Sequence, residues 1–145
     1  MTSDRQDVLD FVDRYLDAYH REDWDDIRDC LTDDIVAADA GVGIRLEGAD
    51  EVIDGHKATA ARFPGRHYEI ERIVVDGDFL AIWGLWLGDL ADGMSGPSAH
   101  WHSAQSDQVG PFKFCRVARL EDGKFKHYTD YTVNASLSTW QGPSA

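Results

Sequence analysis

Two polar side chains stand in an otherwise apolar frame in this sequence, and with a third they could carry acid/base chemistry. Tyr15 lies in a predicted first helix, Asp39 ends a predicted first strand, and Asp130 lies in the last predicted strand. A carboxylate in an apolar pocket has a raised pKa, which suits a general base that works near neutral pH. A phenol in a dry site can stabilise an enolate or polarise a carbonyl group. Together these residue types indicate general acid/base chemistry.

Each of the three residues also has a purely structural interpretation. Asp39 could cap the turn before Gly41, and Tyr15 could be a core tyrosine with a satisfied hydroxyl group. Asp130 could be a solvated aspartate on a strand. Tyr19, one helical turn after Tyr15, could replace it as the hydrogen-bond donor. Convergence of these side chains on one closed cavity would favour the catalytic interpretation.

Three helices are predicted in the first half of the chain. Apolar residues recur at three- and four-residue spacing over residues 8–19 opposite a row of aspartates, which indicates an amphipathic helix with Tyr15 on its inner side. Asp23 could cap a short second helix that extends to Leu31. A third helix is predicted over residues 50–63, because a Pro-Gly pair follows it.

The remainder of the sequence has the pattern of a long antiparallel meander. An insert at residues 89–108 is rich in Gly, Ser, Asp and His, and residues 136–145 form a tail. Three helices followed by such a meander predict a single α+β domain over residues 1–145, with the helices packed on one sheet face. The four long strands are predicted over residues 67–75, 79–88, 109–120 and 125–133. In the last strand, alternation puts Tyr128, Asp130, Thr132 and Asn134 on one face, and Phe125, His127, Thr129, Tyr131 and Val133 on the other.

The order and spacing of these features resemble the NTF2-like superfamily, in particular its SnoaL-like and ketosteroid isomerase-like branches. The resemblance rests on the helices that lead to Asp39, and on Asp122-Gly123-Lys124-Phe125 followed by Tyr128-Thr129-Asp130-Tyr131. It implies a cone in which N-terminal helices pack on a strongly curved, mostly antiparallel sheet and enclose one pocket. It also implies that Asp39 abstracts a proton, that Tyr15 donates a hydrogen bond to the enolate oxygen, and that Asp130 is a pocket acid/base.

Two positions depart from the patterns of these families. Arg116 stands where ketosteroid isomerases carry a second, protonated aspartate. It could bind an enolate or a carboxylate, or pair with Asp39 or Asp130 and lower its pKa. Gly84-Leu85-Trp86 stands where related epoxide hydrolases carry an Arg-x-Asp motif. The departures argue against classical steroid isomerisation and against epoxide hydrolysis by the known route.

Bulky apolar residues are predicted to form the walls of the pocket. They suggest a small hydrophobic ligand, aromatic or polycyclic, and Gly84 is expected to leave room for a flat one. The predicted substrate-binding residues are Tyr19, Phe63, Ile82, Gly84, Trp86, Phe112, Phe114, Tyr128, His100, Trp101 and His102.

The histidines divide into two groups. His100 and His102 flank Trp101 in the insert, which could close over the pocket as a lid, with a histidine that assists proton transfer. Further metal ligands are not evident beside this pair, so neither a metal nor a cofactor is predicted. His56 and His127, like His20, are interpreted as superficial.

The charge balance limits the partners of the chain. It carries 27 acidic and 14 basic residues, a net charge of -13. Such a surface repels phosphate backbones and anionic lipids, so neither nucleic-acid nor membrane binding is expected. The sequence shows no apolar run of the ~20 residues that a membrane span needs and no signal-peptide pattern at its beginning, so a cytoplasmic location is expected.

The sequence thus predicts a small-molecule enzyme that uses acid/base chemistry on a hydrophobic carbonyl compound. Its outcome would be isomerisation, aldol-type cyclisation or dehydration, which share the first step. The main alternative is a non-catalytic ligand-binding or dimerisation module on the same fold. The second is epoxide hydrolase-like or lyase chemistry. A homodimer through the sheet is expected because of an apolar outward face, which carries Trp83, Leu85, Tyr131 and Val133.

Overall fold

The computed structural model describes residues 4–89 and 108–134. Most of the predicted insert and the predicted tail at residues 136–145 lie outside these ranges. Within them, helices α1, α2 and α3 span Arg5–Arg21, Trp24–Asp29 and Ala49–Arg62. Strands β1 to β6 span Leu31–Asp39, Ile44–Glu47, His67–Asp76, Phe79–Asp89, Gln108–Glu121 and Lys124–Asn134.

The six strands found in the described residues form one curled, unclosed sheet in the order β2-β1-β6-β5-β4-β3. β1 and β6 run parallel, and every other neighbouring pair is antiparallel. The helices pack on this sheet, so the predicted α+β class and the predicted NTF2-like arrangement are confirmed. The parallel pair brings the end of β1 beside the middle of β6, two strands that are far apart in the sequence.

Helix α1 follows from its sequence pattern. The Asp4 side chain accepts a hydrogen bond from the backbone N–H of Gln6 and caps the first turn, and Glu22 ends the helix in the left-handed conformation. The buried side of the helix faces the sheet. Its buried residues are Val8, Val12, Tyr15, Ala18 and Tyr19. The amphipathic pattern therefore places Tyr15 inward, as the spacing predicts.

The second helix is shorter than predicted. Asp23 caps it by accepting a hydrogen bond from the N–H of Asp26, but Leu31 is the first residue of β1 rather than the last of the helix. Leu31 pairs with Phe125 of β6, and the Phe125 N–H donates to the carbonyl oxygen of Cys30. Pairing with a distant strand therefore decides that Leu31 is in a strand rather than a helix. Helical spacing within the sequence cannot reveal this pairing.

A β-bulge makes the alternation predicted for β6 wrong at Phe125. Phe125 is fully buried instead of facing outward with His127. The register between β5 and β6 shifts here, because Leu120 pairs with Phe125 while Arg119 pairs with His127. One extra residue on β6 turns the side chain before it to the inner face. Beyond the bulge the predicted alternation holds, with Tyr128 buried and the tyrosine three residues later exposed.

Helix α3 lies over β1 and β2 and covers the end of the sheet where β1 and β6 meet. Val52 and Ile53 are buried beneath it. None of the helices in the described part of the chain combines the length and the apolar character required to cross a membrane.

Candidate active site

A cavity of about 370 Å³ lies between α3, the hairpin of β1 and β2, and the inner face of the sheet. Its wall is mainly apolar and aromatic, and its carboxylate, guanidinium and imidazole groups come from β1, β5, β6 and α3. The cavity is lined by Tyr19, Ala37, Ala38, Asp39, Val42, Ile44, Leu46, Gly55, His56, Ala58, Thr59, Phe63, Tyr68, Trp86, Phe112, Phe114, Arg116, Tyr128, Asp130 and Thr132.

Asp39 is the last residue of β1 and lies at the cavity. Hydrogen bonds to one of its two carboxylate oxygens hold the side chain in place. Its Oδ1 accepts hydrogen bonds from the Thr132 hydroxyl at 2.7 Å, the Gly41 N–H at 2.9 Å and the Val42 N–H at 3.3 Å. Among the described residues, no donor forms a hydrogen bond with Oδ2. Asp39 therefore caps its turn and lines the cavity at the same time, with Oδ2 left for a bound molecule.

The pKa of Asp39 is raised above its usual value. Burial is the main cause, and the nearby negative charge of Asp130 acts in the same direction. Asp130 is the residue directly beside Asp39 in the parallel register. The hydrogen bond from Thr132 and those from the turn favour the ionised form and limit the increase. The carboxylate is thus a stronger base than a solvated aspartate.

Arg116 and Asp130 form a buried ion pair on the neighbouring strands β5 and β6. Arg116 Nε donates to Asp130 Oδ1 at 2.7 Å, and Nη2 donates to Oδ2 at 3.0 Å. The arginine side chain is 4% exposed and the aspartate side chain 14%. The guanidinium also stacks on Tyr128, with its carbon 3.8 Å from the ring centroid. Both carboxylate oxygens of Asp130 are therefore occupied by the arginine.

Tyr15 lies behind Arg116 and is not among the residues that line the cavity. Its hydroxyl oxygen accepts a hydrogen bond from Arg116 Nη1 at 3.1 Å, and its residue surface is 1% exposed. The ring packs edge-on against Phe125. Tyr15 is therefore positioned to act on a bound molecule through Arg116 rather than by direct contact.

His56 is a cavity residue, so its interpretation as superficial is wrong. It lies on α3, lines the cavity, and has its Nε2 3.4 Å from the Tyr15 hydroxyl oxygen. Burial, assisted by the positive charges of Arg116 and Arg66, lowers the pKa of His56 to about 3, so the imidazole is neutral. The signal was present in the sequence, because His56 follows the buried Val52 at the spacing of one helical turn.

Six predicted substrate-binding residues come together in the cavity wall, namely Tyr19, Phe63, Trp86, Phe112, Phe114 and Tyr128. Ile82 is buried in the core and does not line the cavity. Gly84 does not line it either, and a Cβ there would lie 2.0 Å from the carbonyl oxygen of Glu69. The space at Gly84 is thus filled by β3, which has a register irregularity at this point, rather than by a ligand. His100, Trp101 and His102 lie outside the described residues.

Three other polar side chains of the cavity, those of Thr59, Tyr68 and Thr132, are absent from the predicted set. Thr132 holds Asp39, and Tyr68 receives a long hydrogen bond of 3.5 Å from Arg116 Nη2. Burial raises the pKa of Tyr68 well above the usual value, so its hydroxyl group keeps its proton. Among residues 4–89 and 108–134, no group of three or more His, Cys, Asp or Glu side chains is arranged to hold a metal ion.

Comparison with solved structures shows the same fold in other proteins. An NTF2-like protein of unknown function from Burkholderia pseudomallei superimposes with a TM-score of 0.69 at 19% identity, covering 90% of this chain and 94% of that one. A limonene epoxide hydrolase-like (LEH-like) enzyme from Mycobacterium tuberculosis gives 0.67 at 22% identity, with 88% and 84% covered. A ketosteroid isomerase-like fold from Catenulispora acidiphila, in complex with trimethylamine, gives 0.67 at 16% identity, with 83% of each chain covered.

At these identities the similarity establishes the fold and leaves the reaction open. No curated protein matches the chain. The sequence model of the SnoaL-like domain matches residues 12–128, which include the second half of α1, the cavity strand β1 and most of the hairpin of β5 and β6. The match covers far more than half of the chain, and the fold agrees with it. The chain therefore belongs to the SnoaL-like domain family.

Proposed function

We propose that this protein is an enzyme that removes a proton next to the carbonyl group of a small hydrophobic substrate, with Asp39 as the base. The observation that carries the proposal is the geometry of the Asp39 carboxylate. Its Oδ1 takes three hydrogen bonds, which fix the orientation of the carboxylate, while Oδ2 has no hydrogen-bond donor among the described residues and Asp39 lines an apolar cavity. A fixed carboxylate with a raised pKa is suited to general base catalysis.

Asp130 is the less suitable base, although it lines the same cavity. Both of its oxygens accept hydrogen bonds from Arg116, and this bidentate pair stabilises the ionised carboxylate. A proton taken up by Asp130 would weaken that pair in a buried environment, which is costly. Asp130 therefore serves to hold Arg116 in position, and Asp39 is free to react.

Arg116 is the proposed electrophile. A guanidinium group has five N–H bonds, and in Arg116 they reach Asp130, Tyr15 and Tyr68. The contact with Tyr68 is long, and the guanidinium lines the cavity. It can therefore stabilise negative charge on a substrate oxygen without moving, because its position is already fixed by the ion pair.

The proposed step breaks one C–H bond of the substrate and forms one O–H bond at Asp39 Oδ2. The electron pair of the C–H bond moves into the enolate, whose oxygen is stabilised by Arg116. Return of the proton to another carbon gives an isomer. Attack of the enolate carbon on a second carbonyl group gives an aldol-type ring, and departure of a β-hydroxyl group that Asp39 protonates gives a dehydrated product.

The cavity indicates the kind of substrate. Its volume of about 370 Å³ is at the small end of ligand sites and suits a compact molecule of two or three rings. Aromatic side chains surround most of the space, and the polar groups lie together around Asp39 and Arg116. A substrate with one apolar body and a carbonyl group at one end fits this division.

A homodimer through the outer sheet face is part of the proposal. Val117, Tyr131 and Val133 lie on this face with 46%, 54% and 62% of their surfaces exposed. They stand on the adjacent strands β5 and β6, so they form one apolar patch. Burial of such a patch against a second copy would remove it from water.

The proposal is tested by turnover of enolisable bicyclic ketones, cyclic 3-ketosteroids, polyketide-like β-ketones and epoxides. The wild type would be compared with Asp39→Asn and with Asp33→Asn, an exposed position on the same strand. We expect ketone turnover that Asp39→Asn lowers at least about 100-fold and Asp33→Asn leaves unchanged. Ligand binding without turnover would contradict the proposal and favour a binding module, and turnover of epoxides alone would favour hydrolase chemistry.

A further inference from the structure

The neutral imidazole of His56 shares one corner of the cavity with Arg116. Both side chains line the cavity, and both contact the same atom, the hydroxyl oxygen of Tyr15. Arg116 Nη1 lies 3.1 Å from this oxygen, and His56 Nε2 lies 3.4 Å from it. A single buried phenol therefore connects two cavity groups that come from different elements, β5 and α3.

The contacts favour one of the two neutral forms of the His56 imidazole, the one with its proton on Nδ1. The Tyr15 oxygen accepts from Arg116, which has only donors, so its own proton is available for His56 Nε2. An imidazole whose Nε2 accepts must carry its proton on Nδ1 when it is neutral. Among the described residues, only Tyr15 forms a hydrogen bond with the His56 ring. The Nδ1–H group is therefore left for a molecule in the cavity.

We infer that His56 is a second electrophilic residue of the site, which donates a hydrogen bond from Nδ1 to the substrate oxygen that Arg116 also stabilises. The inference rests on the proposed function. The chain of hydrogen bonds from Asp130 through Arg116 and Tyr15 orients the imidazole and holds its tautomer. A neutral imidazole can polarise a carbonyl group without adding positive charge beside Arg116.

This arrangement gives Tyr15 a positioning role. Its hydroxyl group links the guanidinium and the imidazole, and an edge-on contact with Phe125 and a tilted contact with Tyr19 keep its ring in place. The Tyr19 ring in turn packs against the His56 ring with the planes at 88°. Both donors are therefore fixed before a ligand enters, which is the condition for effective stabilisation of an oxyanion.

A binding experiment with two probes tests the inference without a known substrate. 2-Naphthol carries an acidic oxygen that resembles an enolate, and 2-methylnaphthalene has the same shape without it. Fluorescence titration would give the preference for 2-naphthol, that is, the ratio of the two affinities, in the wild type, His56→Leu and His56→Gln. His127→Leu, a change at an exposed histidine, is the control.

We expect the wild type to prefer 2-naphthol and His56→Leu to lower that preference at least tenfold. His56→Gln keeps an N–H donor and should recover most of it, and His127→Leu should have no effect. The inference would be overturned if His56→Leu kept the wild-type preference, which includes the case in which it loses both affinities equally. It would also be overturned if the wild type showed no preference for 2-naphthol. Turnover retained in Asp39→Asn would instead contradict the proposed base while leaving this donor in place.

Discussion

At the scale of single residues, the site depends on the different surroundings of two adjacent carboxylates. Asp39 and Asp130 are neighbours in the parallel register. Asp130 is neutralised by Arg116, whereas the hydrogen bonds that Asp39 receives within residues 4–89 and 108–134 come from a hydroxyl group and two backbone amides. The two carboxylates therefore differ in how readily they take up a proton. Such a difference within one cavity suits acid/base catalysis.

Thr132 is expected to set the pH dependence of Asp39. Its hydroxyl group stabilises the ionised carboxylate and so lowers the pKa, and its removal in Thr132→Val should raise that pKa further. Because the base must be ionised, activity falls as pH decreases below the pKa. We expect the acidic limb of the kcat/KM profile to move up by about 1 pH unit. Thr132→Ser, which keeps the hydroxyl group, should show the wild-type limb, and an unmoved limb in Thr132→Val would contradict this role.

The buried ion pair should make Asp130→Asn strongly destabilising. The substitution leaves the Arg116 charge without its partner, at an expected cost of about 3–5 kcal/mol in the free energy of unfolding. Replacement of both residues in Arg116→Met with Asp130→Leu should cost less than Asp130→Asn alone, because no charge is then left unpaired. Urea unfolding measures these values, with Asp33→Asn as a control that stays close to the wild type. A loss below about 1 kcal/mol in Asp130→Asn would contradict this account.

At the scale of elements, the pairing of distant strands decides what the sequence leaves open. The helix and strand patterns were sufficient to predict α1, α3 and the long strands. They placed Leu31 in the wrong element and Phe125 on the wrong face, because a parallel partner and a bulge decide these positions. The carboxylates of the site could be predicted from single strands. Helical spacing from Val52 could have placed His56 on the inner side of α3. Its role could not be predicted, because that role depends on the packing of α3 over β1 and on contact with Tyr15.

Gly84 tests the close contact between β3 and β4. A Cβ at this position would lie 2.0 Å from the Glu69 carbonyl oxygen, which belongs to the backbone and cannot move aside cheaply. We expect Gly84→Ala to lower the free energy of unfolding by about 2–3 kcal/mol. The control Gly123→Ala lies in an open turn, where only the positive φ of 73° costs about 1 kcal/mol. Equal losses in the two variants, measured by urea unfolding, would show that the contact is unimportant.

At the scale of the whole molecule, net charge and the apolar sheet face act in opposite directions on association. Each chain carries a net charge of -13, so two copies repel each other. The exposed patch that contains Tyr131 favours association through burial of apolar surface. Added salt screens the repulsion and leaves the burial, so a dimer should become tighter as ionic strength increases.

The dimer is tested by sedimentation velocity of the wild type and Tyr131→Glu. We expect the wild type to sediment as a dimer and the variant, which places a charge in the centre of the patch, to weaken the association at least tenfold. Lys124→Glu changes more charge but lies at the exposed start of β6, beside the turn from β5, so this variant should remain dimeric. A monomeric wild type at 0.5 M salt and high protein concentration would contradict the proposed interface.

The central claim, that Asp39 removes a proton next to a carbonyl group, is tested most directly by hydrogen exchange of a substrate-like ketone. 2-Tetralone in D₂O would be followed by proton NMR with the wild type, Asp39→Asn and Asp33→Asn, because exchange reports the first step whatever product forms later. We predict that the wild type and Asp33→Asn accelerate loss of the α-proton signal, and that Asp39→Asn does so at least about 100-fold less. Equal acceleration by Asp39→Asn, with the protein folded, would contradict the assignment of this carboxylate as the base.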